Sequence, residues 1–302
     1  MQLRQVLNAA IERLTAARVP SPRMNAELLI RFALDCDRAY LYAHPERELT
    51  PDEQQRCDEA LSRRSTGVPA QYITGHQEFW GLDLIVSPAV LIPRPETEHV
   101  VETVLELIAG ASKQSREPRT GVSAPHHLRI VDVGTGSGAI ALALAKELPT
   151  AQIHATDISP EALEVARANA ARHELTSRIE FQHADLLGAF SPASFDFVVS
   201  NPPYVGESEE DSVQLEVRKF EPRNAVFAGS TGFEVIERLI PQAKDALRPG
   251  GRLVFEISGT IVGGVRRLLS GWDAVAIRND LQGIARVASA RNPRPGNPRG
   301  VR

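Results

Sequence analysis

The chain has 302 residues, 42% of them hydrophobic and 24% charged, with a formal net charge of -4. That length and balance fit a soluble globular protein with one large domain plus a small one, and the absence of a basic excess argues against nucleic acid as the main partner. The only cysteines, Cys36 and Cys57, are too few for a disulfide framework and lack metal-ligand spacing, so they read as incidental thiols in a reducing compartment.

The first seventy residues read as helices. Leu3, Val6, Leu7, Ala10, Ile11 and Leu14 recur on one helix face, without the unbroken apolar run of a signal peptide. Ser21-Pro22 predicts an N-cap and first turn for a second helix, and Thr50-Pro51 with Glu53 predicts a capping box for a third. Residues 1–70 are therefore expected to form a helical bundle, with or without a partner-docking role. Residues 71–97 mix aromatic and apolar residues with glycines and end in LIPRPETE, which predicts a hairpin connector. A helix from about Glu96 to Ile108 follows, then a polar Pro/Gly-rich stretch, 110–127, expected to be a mobile loop.

From residue 128 strand and helix alternate. Strands are expected at 128–133, 152–156, 178–182, 195–200 and 252–257. Helices are expected at 138–147, after the Ser159-Pro160-Glu161 cap, and at 231–247, ending before Pro249-Gly250-Gly251. This alternation predicts an α/β domain over 98–290, a Rossmann-like parallel sheet with helices on both faces. The Arg-, Pro- and Gly-rich end, 291–302, is expected to be a disordered tail. No stretch approaches the ~20 apolar residues that cross a bilayer, and a cytoplasmic location is the expectation.

Two motifs carry the chemistry. Asp132-Val133-Gly134-Thr135-Gly136-Ser137-Gly138 lies between a strand and a helix, where glycines let a ligand approach the backbone and the helix start offers free N–H groups. Gly134, Gly136 and Ala139 also satisfy the pattern of nicotinamide and flavin enzymes, so this loop alone does not decide the cofactor. Asp157 ends the second strand, placed to accept both ribose hydroxyls of an adenosine. Asp185 follows the third strand, placed to accept from the adenine amino group, with Leu186 covering the base. Asp132 can face the cationic end of a cofactor carrying an amino group and a sulfonium. Three acids at successive carboxyl ends of strands fall where open α/β sheets bind ligands.

The second motif, Asn201-Pro202-Pro203-Tyr204, ends the fourth strand. A simple turn is the plain alternative. A carboxamide nitrogen is a poor nucleophile, and two hydrogen-bond acceptors on its N–H groups orient it and raise its electron density. The Asn201 side-chain oxygen and the Pro202 carbonyl can supply them, with Pro203 stiffening the turn and Tyr204 packing on the flat amide. A sulfonium methyl donor needs no metal, so alignment and preorganised electrostatics suffice.

Taken together, DVGTGSG and NPPY resemble the methyltransferases of planar nitrogen atoms. Residues 67–98 (GVPAQYITGHQEFWGLDLIVSPAVLIPRPETE), 220–236 and 250–259 look like the HemK/PrmC family of release-factor glutamine N5-methyltransferases. The resemblance implies S-adenosylmethionine as cofactor, held by residues 134–138, Asp157, Leu186 and Asn201. It implies the glutamine of a release factor's Gly-Gly-Gln loop as acceptor, held by 201–204, and a helical N-terminal domain that engages the release factor. Relatives often carry an aromatic residue where Leu186 stands. The competing readings are an adenine-N6 methyltransferase, since adenine also presents a planar NH₂, and a glutamine methyltransferase of a ribosomal protein. A cofactor-binding protein without catalysis and a nicotinamide dehydrogenase rank below them: NPPY is intact, and no His or Lys candidate stands near the switch point. His154 and His183 are expected to be structural.

Overall fold

A computed structural model describes residues 1–114 and 127–294. Its contacts group into two compact units. The first is Met1–His76 together with Val213–Phe220, and the second is Gln77–Ser212 together with Glu221–Arg302.

In the first unit, helices span Leu3–Ala16, Pro22–Leu34, Arg38–Ala43, Pro51–Ser65 and Ala70–Thr74. Leu3, Leu7 and Leu14 pack against Leu29, Ile30 and Leu61. Each fully buried leucine contributes about 1.5–3 kcal/mol. The Thr50 capping box forms: the Thr50 amide donates to the Glu53 carboxylate at 2.9 Å, and the Glu53 amide donates to the Thr50 hydroxyl at 3.3 Å. Ser21 precedes its helix as expected but does not cap it with its side chain. Its φ is 48°, and the Asn25 amide donates to the Pro20 and Ser21 carbonyls instead. The helix Leu215–Phe220 belongs to this unit, where Glu216 pairs with the buried Arg64 at 2.8 Å. Nothing in the sequence marks that grouping.

In the second unit, β1 (His76–Phe79) and β2 (Leu82–Ile85) form the expected hairpin. The turn residues Trp80 and Gly81 both have positive φ, 54° and 65°, the signature of a turn that matches strand twist. Trp80 is held there by its amide donating to Glu98 at 2.8 Å and its indole N–H donating to Glu147 at 2.9 Å.

A short 3₁₀ turn, Pro95–Thr97, leads into a helix Glu98–Gln114. That helix outruns its expected end at Ile108 and takes up the first residues of the presumed loop; 115–126 lie outside the described residues. The main strands are β3 (Arg129–Val133), β4 (Gln152–Asp157), β5 (Ile179–His183) and β6 (Phe195–Ser200). They are followed by the short β7 (Val205–Gly206) and β8 (Phe227–Gly229), then β9 (Leu247–Glu256), β10 (Asp273–Asn279) and β11 (Ala285–Arg291). The seven-stranded sheet has the order β10-β11-β9-β6-β3-β4-β5, with every strand running in one direction except β11, which is antiparallel to both its neighbours, β9 and β10.

The expected tail does not begin at 291. Arg291 ends β11, and buried Asn292 donates its side-chain amide to the carbonyls of Lys244 and Leu247 at 3.0 Å each. Composition signalled disorder, but β11 is a sheet strand and Asn292 satisfies buried carbonyls at its end. The remainder, 295–302, lies outside the described residues.

Candidate active site

The central strand β3 pairs with β4 on one side and β6 on the other, so the chain changes direction across the sheet there. Open sheets bind ligands at the carboxyl ends beside such a point. The Ser200 hydroxyl donates to the Val133 carbonyl at 2.7 Å, fixing the end of β6 against the end of β3. Both sequence motifs leave the sheet from this seam.

The glycine loop is anchored from its neighbour β4. The amides of Gly134 and Thr135 each donate to the Thr156 carbonyl at 2.9 Å. Gly134 and Gly136 have φ of 71° and 55°, and a Cβ on either would meet nothing within 4 Å, so both present bare backbone to open space. Gly138 is glycine for a different reason. A Cβ there would come within 2.7 Å of Leu142 and 3.3 Å of Ala166, where two helices pack.

Asp157 already accepts two backbone N–H groups, Gly136 at 2.8 Å on one oxygen and Ser159 at 2.9 Å on the other. Burial nonetheless raises its pKa above the ordinary carboxylate value, against the lowering by those amides. Asp132 is fully buried. One oxygen accepts from the Thr135 hydroxyl at 2.7 Å and the Ala141 amide at 3.2 Å, and the other has no partner. Burial pushes its pKa up to about 7. An unpaired, buried carboxylate oxygen is costly unless a ligand completes it.

Asp185 and Leu186 line the same cavity, but Asp185 is not a free acceptor. It forms an ion pair with Arg238, which lines the cavity too. Leu186 sits at φ 54°, and its carbonyl accepts from the Thr156 hydroxyl at 3.1 Å.

Along the second motif, the Asn201 side-chain NH₂ donates to the Thr97 hydroxyl oxygen at 3.1 Å. The Thr97 hydroxyl in turn donates to Glu256 at 2.6 Å. The Tyr204 hydroxyl donates to the other oxygen of Glu256 at 3.0 Å. Burial, with the Glu256 charge beside it, raises the Tyr204 pKa, so this phenol stays protonated. Thr97 and Glu256 are 4% and 2% exposed, so the inner part of the network is shielded.

A cavity of about 320 Å³ joins these elements, within the range of small-ligand sites. Gly134, Thr135, Gly136, Ser137, Asp157, Asp185, Leu186, Asn201 and Pro203 line it. Asp132 lies beneath the loop rather than in the wall, and Gly138 is spent on helix packing. Pro202 is buried and outside the lining. Tyr204 was expected to lie flat on a bound amide. It is not in the lining either, because its hydroxyl is held by Glu256. The wall also includes residues the sequence did not single out: Thr97, Arg238, and Asn224 with Phe227. Beside that wall, Glu221 accepts from the Ile92 amide at 3.2 Å and pairs with Arg94, holding the stretch before Thr97 in place.

Two family models match the chain, a PrmC N-terminal domain over residues 5–75 and a methyltransferase small domain over 120–219. The hMettl16 catalytic domain, solved in complex with a MAT2A 3'UTR hairpin, has a TM-score of 0.53 and 17% identity, covering 79% of this chain and 81% of its own; it shares the fold. A release factor glutamine methyltransferase of Koribacter versatilis is 53% identical over 97% of this chain and 99% of its own length. One of Moorella thermoacetica is 44% identical over 85% and 86%. The doubly wound sheet, with a glycine loop and an amide-bearing turn at its switch point, is that of an S-adenosylmethionine-dependent methyltransferase. Within that class, the chain belongs to the release factor glutamine methyltransferase family.

Proposed function

We propose that this chain transfers a methyl group from S-adenosylmethionine to the side-chain amide nitrogen of the glutamine in the Gly-Gly-Gln motif of a peptide chain release factor. The observation that carries the reading is the shared cavity: Asn201 and the bare-backbone glycines stand on one wall system, so an amide acceptor and a methyl donor can meet there.

The donor fits the residues present. Gly134 and Gly136 leave room for a ligand against the backbone. Asp157 retains acceptor capacity beyond its two backbone amides, suited to ribose hydroxyls. The unpaired oxygen of Asp132 matches a cation near the end of β3. When bound, the donor supplies an electrophilic methyl on a sulfonium leaving group. The protein's part is alignment. The Asn201 side-chain oxygen and the Pro202 carbonyl accept from the two N–H groups of the glutamine amide, turning its nitrogen toward the donor. Pro203 keeps that pair at fixed spacing, and oriented acceptors in a site shielded from water favour the charge that develops on the nitrogen. The surplus proton leaves to water, and no side chain is assigned as a base.

We place the reaction in the cytoplasm, with the helical N-terminal unit engaging the release factor. Mass spectrometry of a release factor incubated with this protein and labelled donor tests the reading. One added methyl on the Gly-Gly-Gln peptide supports it. Label appearing only in a ribosomal protein, DNA or RNA overturns it in favour of that acceptor.

A further inference from the structure

We infer that Glu256 and Thr97 are positioning residues that set the direction of the hydrogen bonds around the Asn201–Tyr204 turn, so that Asn201 shows the cavity its oxygen and not its NH₂. The inference rests on the proposed function and deepens it, by naming what makes Asn201 an acceptor.

An asparagine amide can turn over end for end at little cost in shape, yet only one orientation accepts a hydrogen bond from a substrate NH₂. With its NH₂ toward the cavity, Asn201 would set donor against donor. What selects the orientation is the atom behind it. The Thr97 hydroxyl carries one proton, and it can either accept from Asn201 or donate to it. Its proton goes to Glu256 Oε2 at 2.6 Å, so its lone pair faces Asn201 Nδ2 at 3.1 Å. Burial raises the Glu256 pKa, while the hydrogen bonds from Thr97 and Tyr204 act the other way and favour its ionised form; in that form it only accepts, which makes the direction one-way. The second oxygen of the same carboxylate accepts from the Tyr204 hydroxyl at 3.0 Å, fixing the far end of the turn. One buried group at the end of β9 thus orders both ends of the motif on β6. Neither Thr97 nor Glu256 reaches the reacting atoms through this network; each acts through Asn201 or Tyr204.

Burial of the network strengthens the effect. Thr97 and Glu256 are almost wholly shielded, so water cannot substitute as the missing donor or acceptor. A glutamine at 256 would have one oxygen and one NH₂. It could not accept from both hydroxyls, and one of the two directions would have to reverse.

The test uses the full chain with Thr97→Val, Thr97→Ser and Glu256→Gln. Exchange of the Asn201 side-chain amide protons with water, followed by nitrogen-edited NMR, needs no methyl acceptor. It is expected to be about tenfold faster in Thr97→Val than in the wild type, and close to wild type in Thr97→Ser. With the methyl acceptor, Thr97→Val and Glu256→Gln are expected to lower kcat by about thirtyfold with the donor KM within about threefold, and Thr97→Ser to restore kcat. Unchanged amide exchange in a folded Thr97→Val overturns the inference, as does a Thr97→Ser variant as impaired as Thr97→Val. If wild-type protein transfers no methyl to a release factor, the proposed function falls and the amide exchange alone judges the inference.

Discussion

Asn169 donates its side-chain amide to the carbonyl of Ser137 at 2.9 Å, and through this contact the glycine loop is tied to the hairpin. The same side chain accepts from the Ile85 amide at 2.6 Å and donates to the Ile85 carbonyl at 3.0 Å. Asn169 is fully buried on the helix Pro160–Arg172, so one amide joins the end of β2 to the loop beside the cavity. Replacing it with leucine keeps the branching and the number of heavy atoms, adds some bulk, and leaves three backbone groups without this partner, each costing about 1–3 kcal/mol. Asn169→Leu is expected to lose roughly 3 kcal/mol or more in urea unfolding and to bind donor more weakly. A loss under about 1 kcal/mol means that these groups find other partners.

Asn201→Ala removes the acceptor proposed to orient the glutamine amide while leaving the glycine loop and Asp157 in place. By analogy with the loss of one preorganised hydrogen-bonding group, kcat is expected to fall by about 10²–10³. The dissociation constant for S-adenosylmethionine, measured by calorimetry, is expected to stay within about threefold. A variant turning over at near the wild-type rate removes the two-acceptor mechanism.

Asp157 has two tasks, holding the loop and meeting the ribose. Asp157→Ala removes both and is expected to weaken donor binding by about 1.5–3 kcal/mol, roughly 10- to 150-fold. Asp157→Asn keeps one oxygen for a backbone amide and is expected to fall between. Equal affinity in all three proteins means the ribose lies elsewhere.

Asp132 predicts a pH dependence. Burial raises its pKa from an ordinary 3.8 to about 7 in the donor-free protein. A cationic ligand beside it favours the ionised form, so below that pH binding must expel a proton. Donor affinity is therefore expected to rise with pH up to about 7 and level off above it, with a proton released on binding at lower pH. The donor-free fold has the opposite slope. Its stability from this group is fullest below the unfolded value of 3.8 and is lost as pH rises toward about 7. Calorimetry in buffers of different ionisation heat measures the proton. Asp132→Asn is expected to abolish both slopes, and a wild-type affinity flat from pH 5.5 to about 8 rules the assignment out.

Much of this was legible in the chain itself. The apolar runs Ile130-Val131 and 197–199 announce strands buried on both faces, and the glycines after Val133 announce a loop that a ligand can approach. The positions of Asp157 and Asn201 follow from strand ends, because alternating strands and helices leave only one edge for loops of this kind. What the sequence could not supply was the partner of each polar group. Arg238 is 53 residues from Asp185, and Glu256 is 159 from Thr97; no local pattern pairs them. Short-range periodicity fixes which face of an element is buried. Only the folded sheet brings β9 beside β6 and decides that Tyr204 turns to Glu256, that Asp185 meets an arginine, and that Asn201 has a hydroxyl behind it, because hydrogen bonds between distant segments exist only once the strands have taken their register.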